Sequence, residues 1–156
     1  MTPRIVHLTE KKLVGMRVSM SFADNKTGLL WQRFMPKRRE ITNNISGELI
    51  SMQIYPPAFD FNPSTQFEKW AAVEVTDFDQ VPEPLETFVL SAGTYAVFDY
   101  KGSGNDTQIF QYIFMEWLPR SGYTLDSRPH FEVLGAKYKN ASPDSEEEIW
   151  IPVSKR

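Results

Sequence analysis

Polar and apolar residues alternate from Leu13 to Phe22. Met16, Val18, Met20 and Phe22 fall on one side, and Gly15, Arg17, Ser19 and Ser21 on the other. A period of two with one apolar side predicts a strand with one buried face. After Asn25 the period changes. Leu30, Trp31, Phe34 and Met35 recur at helical spacing, with Gln32, Arg33 and Lys37 outside. This predicts an amphipathic helix, capped by Asp24 or Asn25 and ended or kinked at Pro36. Leu49 to Tyr55 reads as a strand closed by Pro56-Pro57, and the loop through Phe59, Phe61 and Pro63 as a mobile polar-aromatic connection. Glu68 to Thr76 is a further strand, with Trp70, Ala72 and Glu74 on one face and Ala71, Val73 and Val75 on the other.

Pro82-Glu83-Pro84 predicts a hinge, after which the pattern begins again. Leu85 to Leu90 and Thr94 to Lys101 read as strands around the turn Ser91-Ala92-Gly93. Gly102-Ser103-Gly104 is a loop, with Asn105 or Asp106 as a helix cap. Phe110, Ile113, Phe114, Trp117 and Leu118 form the apolar stripe of a second helix, stopped at Pro119. Phe131 to Leu134 and Glu148 to Val153 close the chain as strands. Aligned so that Leu30 meets Ile113, Trp31 meets Phe114, Phe34 meets Trp117, Met35 meets Leu118 and Pro36 meets Pro119. The order strand, helix, strand, strand recurs with them. The expected fold is therefore one α+β domain over residues 1–156, a tandem repeat of two βαββ halves at about 13–77 and 85–153. An antiparallel sheet would carry helices on one side. The seam between the halves would be a central cleft suited to a ligand.

Composition narrows the function classes. Hydrophobic residues make up 41% and aromatics 13%, the latter favouring aromatic-lined surfaces. The net charge of −3 argues against direct nucleic-acid binding. With no cysteine, disulfides, thiolate nucleophiles and cysteine zinc sites are excluded. His7 and His130 lie far apart without ligand spacing, so no metal is expected, and no motif calls for a cofactor. Gly102-Ser103-Gly104 lacks the ending of a phosphate loop, and no Gly-x-Ser-x-Gly elbow occurs. The basic cluster Lys37-Arg38-Arg39 reads as a solvated helix end. No apolar run is long enough for a signal peptide or a membrane helix, so a cytoplasmic location without membrane contact is expected.

Four segments in order carry a family resemblance: Glu68-Lys69-Trp70-Ala71-Ala72-Val73-Glu74-Val75, Ser91-Ala92-Gly93-Thr94-Tyr95-Ala96-Val97-Phe98, Trp117-Leu118-Pro119-Arg120-Ser121-Gly122-Tyr123 and Phe131-Glu132-Val133. The chain resembles the gyrase-inhibitor-like (GyrI-like) small-molecule-binding domain, also found as the effector-binding part of AraC-type and MerR-type regulators. The resemblance implies a tandem βαββ architecture and an aromatic-walled cleft. It further implies a buried glutamate, matched by Glu132, that meets cationic or polycyclic ligands. Some stand-alone members of similar length hydrolyse cyclopropane-bearing alkylating natural products. Family members often place Tyr two residues after the glutamate, where this chain has Leu134.

Glu132 is a carboxylate between apolar neighbours, so it either faces water or sits in a pocket and needs a proton, a donor or a cation. The family match favours the pocket. Trp31, Trp70 and Tyr112 are candidate walls. Trp31 also suits the core, whereas Tyr112 falls off the stripe and could face the seam. Glu74 would join the site if the Trp70 face looks into the cleft, and Tyr55 beside Pro56-Pro57 would form a rim or pack the turn. The leading reading is a small-molecule binding and sensing domain. Its chain, largely taken up by this fold, would need a protein partner, a regulator or gyrase, to act on transcription or topology. The rival is a hydrolase with Glu132 as its catalytic base. A second polar group beside Glu132 would favour the enzyme, a lone carboxylate in an aromatic box would favour binding, and a filled seam would favour a pure protein-interaction role.

Overall fold

In a computed structural model of the chain, residues 2–103, 107–139 and 142–156 are described. The expected cap at Asn105 or Asp106, and Gly104 of the expected loop, lie outside them. The chain runs β1 (Arg4–Leu8), β2 (Lys11–Met20), α1 (Thr27–Arg38), β3 (Leu49–Ile54), β4 (Phe67–Val75), β5 (Glu86–Leu90) and β6 (Gly93–Lys101). A helical segment over 108–120 follows: α2 (Gln108–Gln111), a π-helical stretch Tyr112–Trp117, and α3 (Leu118–Arg120). Then come β7 (Tyr123–Leu125), β8 (His130–Leu134) and β9 (Glu146–Lys155).

All strand pairings are antiparallel, in the order β1-β6-β9-β8-β3-β4-β2-β5, with β7 on β9. Within this order β2, β4 and β3 are successive neighbours, as are β6, β9 and β8, and β3 pairs with β8 between them. The fold is α+β, as the sequence pattern predicts.

Each helix covers its own part of one sheet face. Leu30 and Phe34 of α1 pack on Val14, Ala71 and Val73. Ile109 and Ile113 pack on Ala96, Phe98, Ile149 and Ile151. The other face closes on itself. Leu8 of β1, at one end of the strand order, shares a cluster with Leu13 and Leu90 from the other end, around Tyr95, Trp70 and Phe131. The sheet therefore curls, helix-free face inward, and most strands are covered on both sides.

This two-sided burial explains where the pattern reading departs. Leu13, Val14 and Gly15 of β2 are consecutive and buried, instead of alternating, and Phe22 lies beyond the strand and exposed. Pro36 and Pro119 sit inside the final helical turns, where a missing N–H removes one bond without ending the helix. No side chain caps α1 at Lys26, although the Thr27 N–H donates to Asn25 Oδ1 at 3.0 Å. The loop after β3 is packed: Tyr55 stacks on Phe59 at 4.4 Å, and Phe61 meets Phe114 at 4.9 Å. Strands β1 and β7 escape the sequence reading.

Gly15 lets β2 lie close against β4. A Cβ there would collide with the Ala71 carbonyl oxygen and lie 2.8 Å from Ala72 Cα, both backbone atoms that cannot step aside. Gly15→Ala is expected to destabilise the fold by roughly 1–3 kcal/mol or more. Urea unfolding should give a lowered midpoint with an unchanged slope.

Candidate functional site

The two helices cover the flanks of the sheet and leave its middle open. Over β3 and β8 lies a cleft of about 890 Å³. Its walls include Trp31 and Met35 of α1, Phe110 of the second helical segment and Tyr138 from the loop before β9. Its floor is the helix-side face of the four central strands, and strand register sets that floor. Ser51 pairs with Glu132, and Gln53 pairs with both His130 and Lys69. With a side-chain period of two, Lys69, Ser51, Gln53, His130, Glu132 and Glu147 all point to the helix side. Met52, Trp70, Phe131 and Trp150 point to the opposite core.

The floor concentrates charge in little water. Lys69 is only 6% exposed. Gln53 donates to Glu132 Oε1 at 3.3 Å. Burial raises the Glu132 carboxyl above its usual range, opposed by Lys69 and by the Gln53 bond. Burial also pushes Glu147 up to about 7, helped by the negative field of Glu132 and opposed by Lys69. Burial lowers the Lys69 ammonium, against the two carboxylates. His130 is pushed down to about 4 by burial alone, so it is a neutral imidazole near neutrality. It packs between Tyr55 at 4.9 Å and Phe114 at 6.1 Å. Among the described residues no group of His, Asp and Glu could hold a metal ion.

Of the residues singled out from the sequence, the fold brings Glu132 and Trp31 to the cleft. Trp31 also packs edge-on against Phe34 at 5.8 Å, so it belongs to both wall and core. Tyr55 shares the sheet face of Glu132, and its hydroxyl is raised by burial and by that carboxylate, but its ring is packed into the aromatic cluster instead of lining the cleft. Tyr112 is corrected. It borders a separate hollow with Ile109 and Met115. Phe110 takes the cleft wall, and two residues further along a helix is a turn of about 200°, which carries Tyr112 to the far side. Trp70 and Glu74 are corrected as well. Trp70 is buried in the opposite core, and Glu74 shares its parity and pairs with Lys11 at 3.2 Å. Leu134, the departure from the family pattern, lines the cleft.

Lys69 and Glu147 were missed. Their signal was present: Lys69 falls in phase with Ala71, Val73 and Val75, and Glu147 with Ile149, Ile151 and Val153. A charged residue in phase with a buried stripe either ends the strand or faces a site. The strand limits read from the pattern, at Glu68 and Glu148, placed both at the margins.

The architecture is an antiparallel sheet with two helices flanking an open, charged cleft, the arrangement of a domain with room for a ligand. The chain belongs to the integron-associated effector binding protein family, whose profile it matches over residues 4–153. It is 30% identical to the transcriptional regulator BrlR of Pseudomonas aeruginosa over 98% of this chain and 56% of that protein. It is 40% identical to a DNA gyrase inhibitor of Erwinia billingiae over 51% of this chain and 53% of that one. The chain thus spans about half the length of these relatives. The structure of SAV2435 bound to tetraphenylphosphonium superposes with a TM-score of 0.75 at 19% identity, covering 99% of this chain and 94% of that one. Among the described residues no helix is long and apolar enough to cross a membrane.

Glu147 links the cleft to stability. An acid whose pKa is raised by folding, here from 4.5 to about 7, binds more protons folded than unfolded within that window. Stability therefore falls as pH rises through the window. Glu147→Gln removes this dependence. Its Tm is expected to exceed that of the parent at about pH 8 and to converge with it below about pH 4.5, a pattern that thermal melts at a series of pH values would check.

Proposed function

We propose that the chain is a binding and sensing domain for hydrophobic small molecules, cationic or polycyclic, with Glu132 as the charge anchor and Trp31 and Phe110 as walls. The observation that carries this reading is a half-buried, largely desolvated carboxylate on the floor of an open, aromatic-flanked cleft. A cation there would keep Glu132 ionised and gain from the ring faces beside it. The likeness to a protein bound to tetraphenylphosphonium supports the same ligand class. Occupancy would be read by a protein partner, a regulator or gyrase, in keeping with the regulator and gyrase-inhibitor relatives. The open seam weighs against a role in protein interaction alone.

A second reading has its own support. Gln53 places a polar amide 3.3 Å from Glu132, so the carboxylate is not alone in an aromatic box. A carboxylate with a neighbour that can help hold a water suits general-base hydrolysis of a strained electrophile. Incubation with a cyclopropane-bearing alkylator would yield ring-opened product above the buffer rate, abolished by Glu132→Gln. A rate equal to buffer removes this reading for that substrate class.

For the binding reading, titration with tetraphenylphosphonium should show saturable binding. Glu132→Gln should lower the affinity roughly thirtyfold or more, the cost of losing one partner of a buried charge pair, with the fold intact by circular dichroism. Equal binding by this variant at low and high salt would discard the anchor role. Because Glu147 loses its proton near pH 7, cation affinity should rise as pH rises through that value, and Glu147→Gln should flatten the rise. Calorimetric titrations at several pH values would measure it.

A further inference from the structure

A floor built only to hold a cation would carry carboxylates and rings. This one also carries Lys69, which is more than nine-tenths buried and lines the cleft. Its ammonium interacts with Glu132 and Glu147 through their fields alone, without a hydrogen bond to either. Among the described residues no carboxylate lies within 4.0 Å of Lys69 Nζ, whereas Lys11, Lys26 and Lys37 all make such pairs. Glu147 likewise draws no side-chain hydrogen bond to its carboxylate. A buried ammonium has three donors to satisfy and a high desolvation cost if they go unmet. Lys69 lines the cleft, where a ligand could meet them.

The arrangement across the floor is polar in direction. Lys69 stands on β4, in the row of Gln53 and His130. Glu132 stands on β8, in the row of Ser51, and Glu147 on β9, two residues from the Ile149 that pairs with Glu132. Positive charge thus enters from one side of the seam and negative charge from the other.

We propose that the cleft is bipolar. Lys69 makes it prefer amphiphilic ligands that join a cationic group to an anionic or strongly accepting one over ligands that carry positive charge alone. The inference rests on the binding function proposed above and adds its ligand class. The cationic end sits at Glu132 and Glu147, and the anionic end accepts from Lys69. A ligand with no such end must share the cleft with an unmatched ammonium that repels it.

A matched pair of dyes tests this. One xanthylium dye is used as the free carboxylate, a zwitterion, and as its methyl ester, a monocation, with tetraphenylphosphonium as a cation lacking acceptors. The proteins are the parent chain, Lys69→Met and Lys69→Arg, each checked for folding by circular dichroism. Losing a hydrogen bond to a charged group should weaken zwitterion binding to Lys69→Met about tenfold or more. The ester and tetraphenylphosphonium should bind this variant more tightly than they bind the parent. Lys69→Arg should keep the parent preference, which a merely structural role for the residue would not require. If tetraphenylphosphonium binds the parent but Lys69→Met shifts both dyes by the same factor, or neither, Lys69 sets no selectivity and the inference is overturned while the binding function stands. If Lys69→Met does not fold, an Arg variant that loses the preference overturns the inference, and one that keeps it supports it. If tetraphenylphosphonium and both dyes fail to bind the parent, the binding function falls and this inference falls with it.

Discussion

The cleft depends on one pairing. Strands β3 and β8 meet with Ser51 opposite Glu132. This contact joins the two sets of strands into one sheet and decides which side chains face the helices. A strand's side chains alternate, so a slip of one residue would exchange the two faces completely. With β8 slipped against β3, Glu132 would enter the core now held by Phe131, and Phe131 would line the cleft. Apolar burial on the helix-free face sets the register: Met52, Trp70, Phe131 and Tyr95 are all nearly or wholly buried there. A core side chain of this size is worth about 1.5–3 kcal/mol on burial, so a slip that exposed these residues would be costly.

The chemistry lies on the other face. The helix-side face is apolar beneath each helix and charged between them. Lys69, Glu132 and Glu147 line one cleft, and each carboxyl is raised and the ammonium lowered for the same reason, desolvation. The opposite charges partly offset that cost through their fields. The Gln53 bond adds to this for Glu132, but no direct contact completes the compensation at Lys69. The sheet beneath is close-packed, and the aromatic cluster of Tyr55, Phe59, Phe61, Phe67 and Phe114 fastens the loop after β3 to the second helical segment.

Much of the architecture was legible in the chain. The change of period from two to helical and back located α1 and the second helical segment, on whose apolar stripes Leu30 and Ile113 are buried. Glu132 stood out because a carboxylate interrupts an apolar strand. The site around it was less legible. Trp70 looked like a wall because it is aromatic, yet its neighbour Lys69 holds the cleft face. Tyr112 looked free of the stripe, yet being free of one face of a helix does not say which other surface it meets. Glu147 fell outside the strand limits that an alternating pattern could support.

The sequence by itself determined the order of the elements other than β1 and β7, the α+β class and the presence of an acidic residue in an apolar setting. These follow from local periodicity and from the intrinsic demands of each side chain. Only the tertiary structure decided which face of each strand became the floor, because period two defines two faces without saying which is covered by what. It also decided that Lys69, Glu132 and Glu147, on three different strands, share one cleft. Their meeting depends on the non-local pairing of β4, β3, β8 and β9, which no local pattern in the chain specifies.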